Sequence, residues 1–348
     1  MKEVDYIIVG LGLAGLSFAR QLEKNNKSFV VYENNSQNSS KVAGGMYNPV
    51  ILKRFTPVWE GHEQIEKALP FYQELEQKFN TVYDHKISLH RLFTSIEEQN
   101  NWFAKCDHPV LSNYLEPKVI NETYKGISSP YGYGEVTGAG RIEAKPLLLD
   151  YKRFLQSTGN LKEEGFDYNN IELNIDFVVY NGIKAKTVVF SEGYGIKLNP
   201  YFKDLPLNEV KGELITIHSP ELNIDFILKS GVFIMPLGKD LYKVGATFNW
   251  NDKTNLPTEE GRIELVDKLS KIIGVPFEIV DHVAGIRPTV KDRRPLVGVH
   301  PRHKQLAVLN GLGTRGVMIA PTVSEELYNY LEKDEPLREE INITRFKN

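Results

Sequence analysis

The stretch from Val4 to Glu33 limits what this chain can fold into more than any other. Tyr6-Ile7-Ile8-Val9 is an apolar run of the kind a fully buried parallel strand shows, and Gly10, Gly12 and Gly15 follow it in a G-x-G-x-x-G spacing. Leu16, Ala19 and Leu22 then recur at helical spacing on one inner face. A second apolar run, Phe29-Val30-Val31-Tyr32, ends in Glu33. Each part has a mechanical reason. Gly10 makes the tight turn, Gly12 lets the backbone approach a pyrophosphate, and Gly15 lets helix and strand pack closely. The first turn of the helix, with Ala14, offers unpaired N–H groups and a positive dipole end to phosphates. Glu33 is placed to accept from ribose hydroxyls and to repel a 2′-phosphate. The flanking strand, the helix and the acid about 20 residues on supply the context that the glycine spacing alone lacks, so a dinucleotide is the expected ligand.

At 348 residues the chain is long enough for a large core and for two domains. Its 41% hydrophobic and 25% charged residues are those of an ordinary globular protein, which sets aside disordered and membrane-spanning classes. A net charge of −3 argues against a generally polyanion-binding surface, though a local basic patch stays open. The single cysteine, Cys106, excludes an intrachain disulfide and suits a reducing cytosol. Acids interrupt Met1-Lys2-Glu3-Val4-Asp5 at once, against a secretory signal, and Tyr6 to Ala19 is too short and glycine-punctuated to span a bilayer. No lipidation signal closes Thr344-Arg345-Phe346-Lys347-Asn348. A cytoplasmic protein with no membrane partner is the expectation. His62, His85 and His90 are scattered without a ligand spacing, so no metal is expected.

Further along, Val42 to Pro49 carries paired glycines, Gly44 and Gly45, that suggest close backbone approach to a ligand. Helices are expected over Trp59 to Phe79, Ala144 to Ser157, Thr258 to Ile273 with Thr258 as N-cap, and, after a glycine turn from Asn310 to Gly316, on to Glu332. Two strands flank a tight Asn181-Gly182 turn, and the second ends in Ser191-Glu192-Gly193, with Glu192 as a candidate border of the nucleotide site. Asn208 to Trp250 reads as antiparallel strands. The pattern predicts an α/β fold: a Rossmann-like dinucleotide domain with a central parallel sheet (residues 1–60, 137–206 and 286–348), plus an inserted antiparallel-sheet substrate domain (61–136 and 207–285).

Four separated segments carry a resemblance. Val9 to Gly15 with Glu33, Ala43 to Pro49, Gly285 to Gly298, and Leu309 to Pro321 resemble the FAD-dependent D-amino-acid-oxidase-like superfamily, which includes glycine oxidase and sarcosine oxidase. Leu312-Gly313-Thr314-Arg315-Gly316 leading to Ala320-Pro321 looks most like the oxidoreductase half of the bacterial tRNA wobble-uridine enzyme that removes a carboxymethyl group. The resemblance implies noncovalent FAD, since Cys106 has no counterpart of the cysteinyl-flavin link. It implies cofactor contacts from Gly10, Gly12, Ala14, Gly15, Glu33, Gly44, Gly45, Met46 and Gly193. Gly311, Gly313, Thr314, Arg315, Gly316 and Val317 complete that set near the flavin pyrimidine edge, where a helix N-terminus stabilises negative charge. In this superfamily a flavin takes a hydride from the carbon next to an amine, giving an imine that hydrolyses.

Ala284-Gly285-Ile286-Arg287-Pro288-Thr289 looks like the family's substrate-arginine segment, so Arg287 is expected to hold a carboxylate bidentately. Lys243 matches a lysine that activates oxygen in sarcosine oxidase, and its other reading is a solvent-facing strand lysine. Tyr47 and Phe233 are expected in the substrate pocket, Phe233 standing where glycine oxidase has a tyrosine. The expected reaction is oxidation of the C–N bond of an amino acid or N-substituted glycine, a small-molecule amine. The alternative keeps that chemistry on a tRNA wobble uridine bearing carboxymethylaminomethyl, with the basic stretches Lys291 to Arg294 and His300 to Lys304 facing phosphates. A third reading is a flavin-binding protein without catalysis.

Overall fold

A computed structural model of the chain describes residues 1–346. Lys347 and Asn348, which close the last segment expected in the dinucleotide domain, lie outside the described residues. Two large sheets organise the chain. In the first, Leu161–Lys162, Phe29–Tyr32, Lys2–Val9, Ile183–Phe190 and Leu306–Asn310 lie side by side and parallel. Val178–Tyr180 folds back antiparallel onto the start of Ile183–Phe190 through Asn181 and Gly182, whose φ values of 45° and 76° make the mirror-image turn that hairpins prefer.

Within Lys2–Val9, residues Tyr6 to Val9 read as an unbroken apolar run because both faces of the strand are covered there. Tyr6 and Ile8 meet helices Leu13–Lys24, Ala144–Ser157 and Gly316–Lys333 on one side, while Ile7 and Val9 meet Val30, Phe190, Ile196 and Phe202 on the other. Leu16, Ala19 and Leu22 are fully buried, as the helical spacing requires.

Helix Gly61–Phe79 departs from the expected partition. Ala68, Phe71, Tyr72 and Leu75 bury into the dinucleotide-domain core, and the Tyr72 hydroxyl donates to the Val317 carbonyl at 2.8 Å. Its apolar stripe is complementary to the final helix, a match between distant segments that periodicity cannot reveal. Asp84–Lys86 likewise pairs with Gly140–Ile142, which also pairs with Met46–Tyr47. The excursion into the second domain therefore starts after these elements rather than at residue 61.

The second sheet has eight strands in the order Glu278–Val290, Leu207–His218, Leu241–Gly245, Phe233–Gly238, Ile227–Lys229, Leu89–Leu92, Tyr133–Val136 and Leu115–Ile120. Every pairing is antiparallel except that of Ile227–Lys229 with Leu89–Leu92. Helix Glu259–Ser270, capped by Thr258 accepting from the Gly261 N–H at 3.1 Å, buries Leu265 and Leu269 against Ile215, Ile217, Leu228 and Ile234 on one face. The opposite face looks at the dinucleotide domain. The ribbon of Leu207–His218 and Glu278–Val290 ties the two together: Leu207 and Val290 sit in the core of the first domain and Ile215 and Ile217 in that of the second. Among the described residues no helix is long and apolar enough to cross a membrane.

Candidate active site

A cavity of about 600 Å³ lies between the two sheets. Its first wall comes from the turn after the first strand (Gly10, Gly12, Ala14), from Glu33, and from the start of the final helix. Neither helix that points at it is capped by its own N-cap side chain. Leu13–Lys24 begins at Gly12 and Gly316–Lys333 at Arg315, neither with an acid in its first turn. Orphan N–H groups at a helix start need a partner, and an anion meets both that need and the dipole. Glu33 is buried at this end and accepts the backbone N–H groups of Leu11 and Asn35, each at 2.6 Å. Gly15 lies beneath rather than on the wall: a Cβ there would sit 2.0 Å from the Gly10 carbonyl oxygen, so glycine is required for the helix to seat on the turn.

The second wall is the inner face of the antiparallel sheet. Gly212, Leu214, Lys229, Phe233, Ala246 and Arg287 line it. The Arg287 guanidinium lies flat across Gly212, where a Cβ would come within 1.9 Å of Nη2. It donates to the Thr247 carbonyl at 3.2 Å and sits 4.6 Å from the centroid of the Phe248 ring. Among the described residues no carboxylate pairs with it; Asp292 is taken by Arg345. Burial pushes its pKa down to about 10, the mark of a cation short of counter-charge. Gly212→Ala is expected to displace this side chain at little cost in stability, because the clash falls on a flexible tip. The KM for a carboxylated substrate should rise about 10-fold with Tm nearly unchanged. An unchanged KM would mean the guanidinium does not depend on that bare backbone.

Gly10, Gly12, Ala14, Glu33, Gly44, Gly45, Met46, Gly193, Gly313, Thr314, Arg315, Gly316, Val317, Phe233 and Arg287 thus converge on one cavity from seven separated segments. Four expected residues do not line it. Gly15 packs as described, and Gly311 makes a turn against Val290 and Leu296 with φ of 74°. Tyr47 is buried, with its hydroxyl donating to Asp84 at 2.7 Å, so it supports the wall instead of forming the pocket. Lys243 shares a sheet face with Met235 and Phe233, yet it stands beyond the cavity among Asp281, Arg141, Lys145 and Glu143. Burial lowers its pKa, but nothing brings it to the pocket wall.

Residues that the sequence did not single out complete the lining. Ser40 accepts from the Leu13 N–H at 3.3 Å. Phe166 and Tyr168 flank the Glu33 end, Phe166 stacking on Tyr180 with centroids 4.0 Å apart. Lys229 and Gly212 become visible only once strands are aligned. Glu192, foreseen at the border, lines the cavity and accepts from the Tyr168 hydroxyl and from Asn199 Nδ2 at 2.8 Å. Burial pushes its pKa up to about 7, against the opposing pull of those two hydrogen bonds.

A carboxyl that keeps its proton in the fold but loses it when unfolded stabilises less as pH rises from its ordinary value to 7. Stability should therefore fall by up to about 3 kcal/mol across that window. Glu192→Gln should flatten the fall in Tm between pH 5 and 8. The same slope in both proteins would assign it to another group.

The chain matches the family described as FAD dependent oxidoreductase over residues 5–329. It belongs to that family. This flavoenzyme is 24% identical over 373 residues to the tRNA 5-methylaminomethyl-2-thiouridine biosynthesis bifunctional protein of Legionella pneumophila subsp. pneumophila (strain Philadelphia 1), covering 94% of this chain and 54% of that one. The chain thus spans about half the length of that relative. It is 22% identical over 355 residues to the glycine oxidase of Bacillus subtilis (strain 168), covering 92% of this chain and 90% of that one. The crystal structure of glycine oxidase from Geobacillus kaustophilus superposes with a TM-score of 0.81 at 21% identity over 100% of both chains.

The cofactor of this oxidoreductase is FAD, and the cavity fits it. Two helix starts without N-cap side chains, a buried acid beside the glycine turn and aromatic rings beyond it are what a diphosphate, a ribose and a base require. Cys106 is buried and is not among the residues that line the cavity, and FAD is held noncovalently.

Proposed function

We propose that this flavoenzyme oxidises the C–N bond of a small amino acid or N-substituted glycine. The observation that carries this reading is the guanidinium of Arg287, unpaired among the described residues and set in the wall of the cavity that holds the glycine turn. When bound, FAD supplies the acceptor for the hydride that leaves the carbon next to nitrogen. Arg287 holds the substrate carboxylate with paired N–H donors and so fixes which face of that carbon is presented. Phe233, Leu214 and Met46 provide apolar walls that keep water from the reacting carbon. The uncapped start of Gly316–Lys333 favours negative charge at its end of the cavity.

Anaerobic titration with N-alkylglycines and D-amino acids tests the reading: one or more of them should bleach the visible absorbance. If none does, the reading fails. We include a cytoplasmic location in the proposal, on the single cysteine that suits a reducing compartment.

A second reading places the same chemistry on the carboxymethylaminomethyl group of a tRNA. What favours it is the rim of the cavity, where Phe248 is 62% exposed, with Trp250, 59% exposed, two residues further on; exposed rings of this kind stack on bases. The buried Lys211, bonded to Asp252 and the Leu256 carbonyl, anchors the loop that carries them. The basic stretch contributes less than its composition suggests: Arg294 lies 4.4 Å from the Trp59 ring centroid, and His300 is buried against Tyr201 and Phe202. Binding to tRNA that weakens steeply with salt would support this reading, and no binding at low salt would dismiss it.

A further inference from the structure

Arg287 is not the only cation on the cavity wall without a counter-charge. Lys229 ends the strand Ile227–Lys229 and lines the same cavity. Its Cα partner is Phe233, and its Nζ lies 6.0 Å from that ring's centroid. Among the described residues it forms no ion pair. The charged groups that act on it are cations, Arg91 and Lys268; Arg91 is itself neutralised by Glu98, and Lys268 by Glu264. Burial, reinforced by those two cations, brings its pKa down to about 8. A half-buried ammonium with no acid beside it is costly unless something else supplies the charge.

The sheet order fixes its relation to Arg287. Arg287 lies over Gly212 in the second strand, and Lys229 is in the fifth. Arg287 itself belongs to the first strand, so four strand spacings put the two backbones about 19 Å apart. Both side chains shorten that gap, since the guanidinium reaches across to the Thr247 carbonyl and Nζ leans toward the Phe233 ring. Between them the floor is apolar: Leu214, Ala246 and Phe233. Two uncompensated cations at opposite ends of an apolar floor match a ligand with an acid at each end.

We propose that Lys229 binds a second carboxylate of the substrate, on the arm of the amine opposite the carboxylate held by Arg287. The substrate class is then an amino or imino diacid rather than glycine or a simple N-alkylglycine. This rests on the C–N oxidation reading above and narrows it. Phe233 fits the assignment, because an apolar ring there spaces the two charges without competing for either.

The test uses the FAD-loaded protein and two readouts. Equilibrium binding of thioether acids, which carry no amine to oxidise, is followed by perturbation of the flavin spectrum. Thioether diacids should bind about 10- to 100-fold more tightly than monoacids of the same length. Lys229→Met should bring that ratio close to one while leaving the monoacid unaffected, and Lys229→Arg should restore most of it. Anaerobic bleaching should show the same preference for N-(carboxyalkyl)glycines over N-alkylglycines. Equal weakening of both ligand classes by Lys229→Met, or an effect confined to flavin reoxidation by O₂, would overturn the assignment. Bleaching by N-alkylglycines with no diacid preference would overturn it too and leave the C–N reading standing. Failure of every amine to bleach the flavin overturns that reading, and this one with it.

Discussion

Replacing Arg287 by alanine should lower kcat/KM for a carboxylated amine by about 100- to 1000-fold, a loss of about 3 to 4 kcal/mol. The size follows from its setting. The guanidinium is half-buried, its only polar partner among the described side chains and carbonyls is the Thr247 oxygen, and its remaining donors face the cavity. A carboxylate taken from water into that site has no other charged partner in reach on the same strands, so truncation leaves it desolvated and unpaired. The effect should fall mainly on KM if the ion pair forms equally in ground and transition states, and on kcat as well if it sets the reacting geometry. Arg287→Lys should recover only part of the loss, since an ammonium cannot form the paired contact. The flavin content and Tm of the alanine variant should match the parent, because no structural ion pair is broken. Steady-state kinetics and the visible spectrum decide the matter together. An alanine variant with unaltered kcat/KM would remove Arg287 from substrate binding.

Gly15→Ala should yield protein that purifies without colour. The added Cβ would lie 2.0 Å from the Gly10 carbonyl oxygen, and the opposing atom is backbone that cannot swing aside. Relief requires the helix to lift off the strand, which moves Gly12 and the N–H groups of the first turn away from the diphosphate position. Gly10 itself holds a φ of 97° with Ser191 packed behind it, so the turn has no slack to share. A cost of about 3 kcal/mol or more in stability is expected, with FAD affinity reduced beyond recovery at micromolar cofactor. Absorbance of the purified variant and its Tm with and without added FAD provide the check. A yellow protein of normal Tm would show that this contact tolerates a methyl group.

The cofactor half of the site was legible in the chain because it is local. A turn, a helix start and an acid at the end of the next strand lie within about thirty residues, and each imposes a residue type that spacing alone displays. The final glycine segment is local in the same way. The substrate half was legible only at Arg287, and only through resemblance. Gly212 offered no signal, since its need for a bare backbone arises from a side chain on a neighbouring strand. Lys229 reads as an ordinary strand lysine until its partners turn out to be a phenylalanine and two cations. Tyr47 and Lys243 fall outside the lining for the same reason. Their segments approach the cavity, but strand pairing sends Tyr47 to Asp84 and leaves Lys243 beside Arg141 and Lys145.

What the amino-acid order determined unaided was the class of fold and the ligand of its first domain, because hydrophobic period and glycine spacing act over one or two turns of chain. Where helix Gly61–Phe79 docks, which cations lack counter-charges and which side chains share the cavity wall were decided by tertiary structure. Those properties depend on contacts between segments far apart in sequence, and on charges that take their meaning only from what is buried beside them.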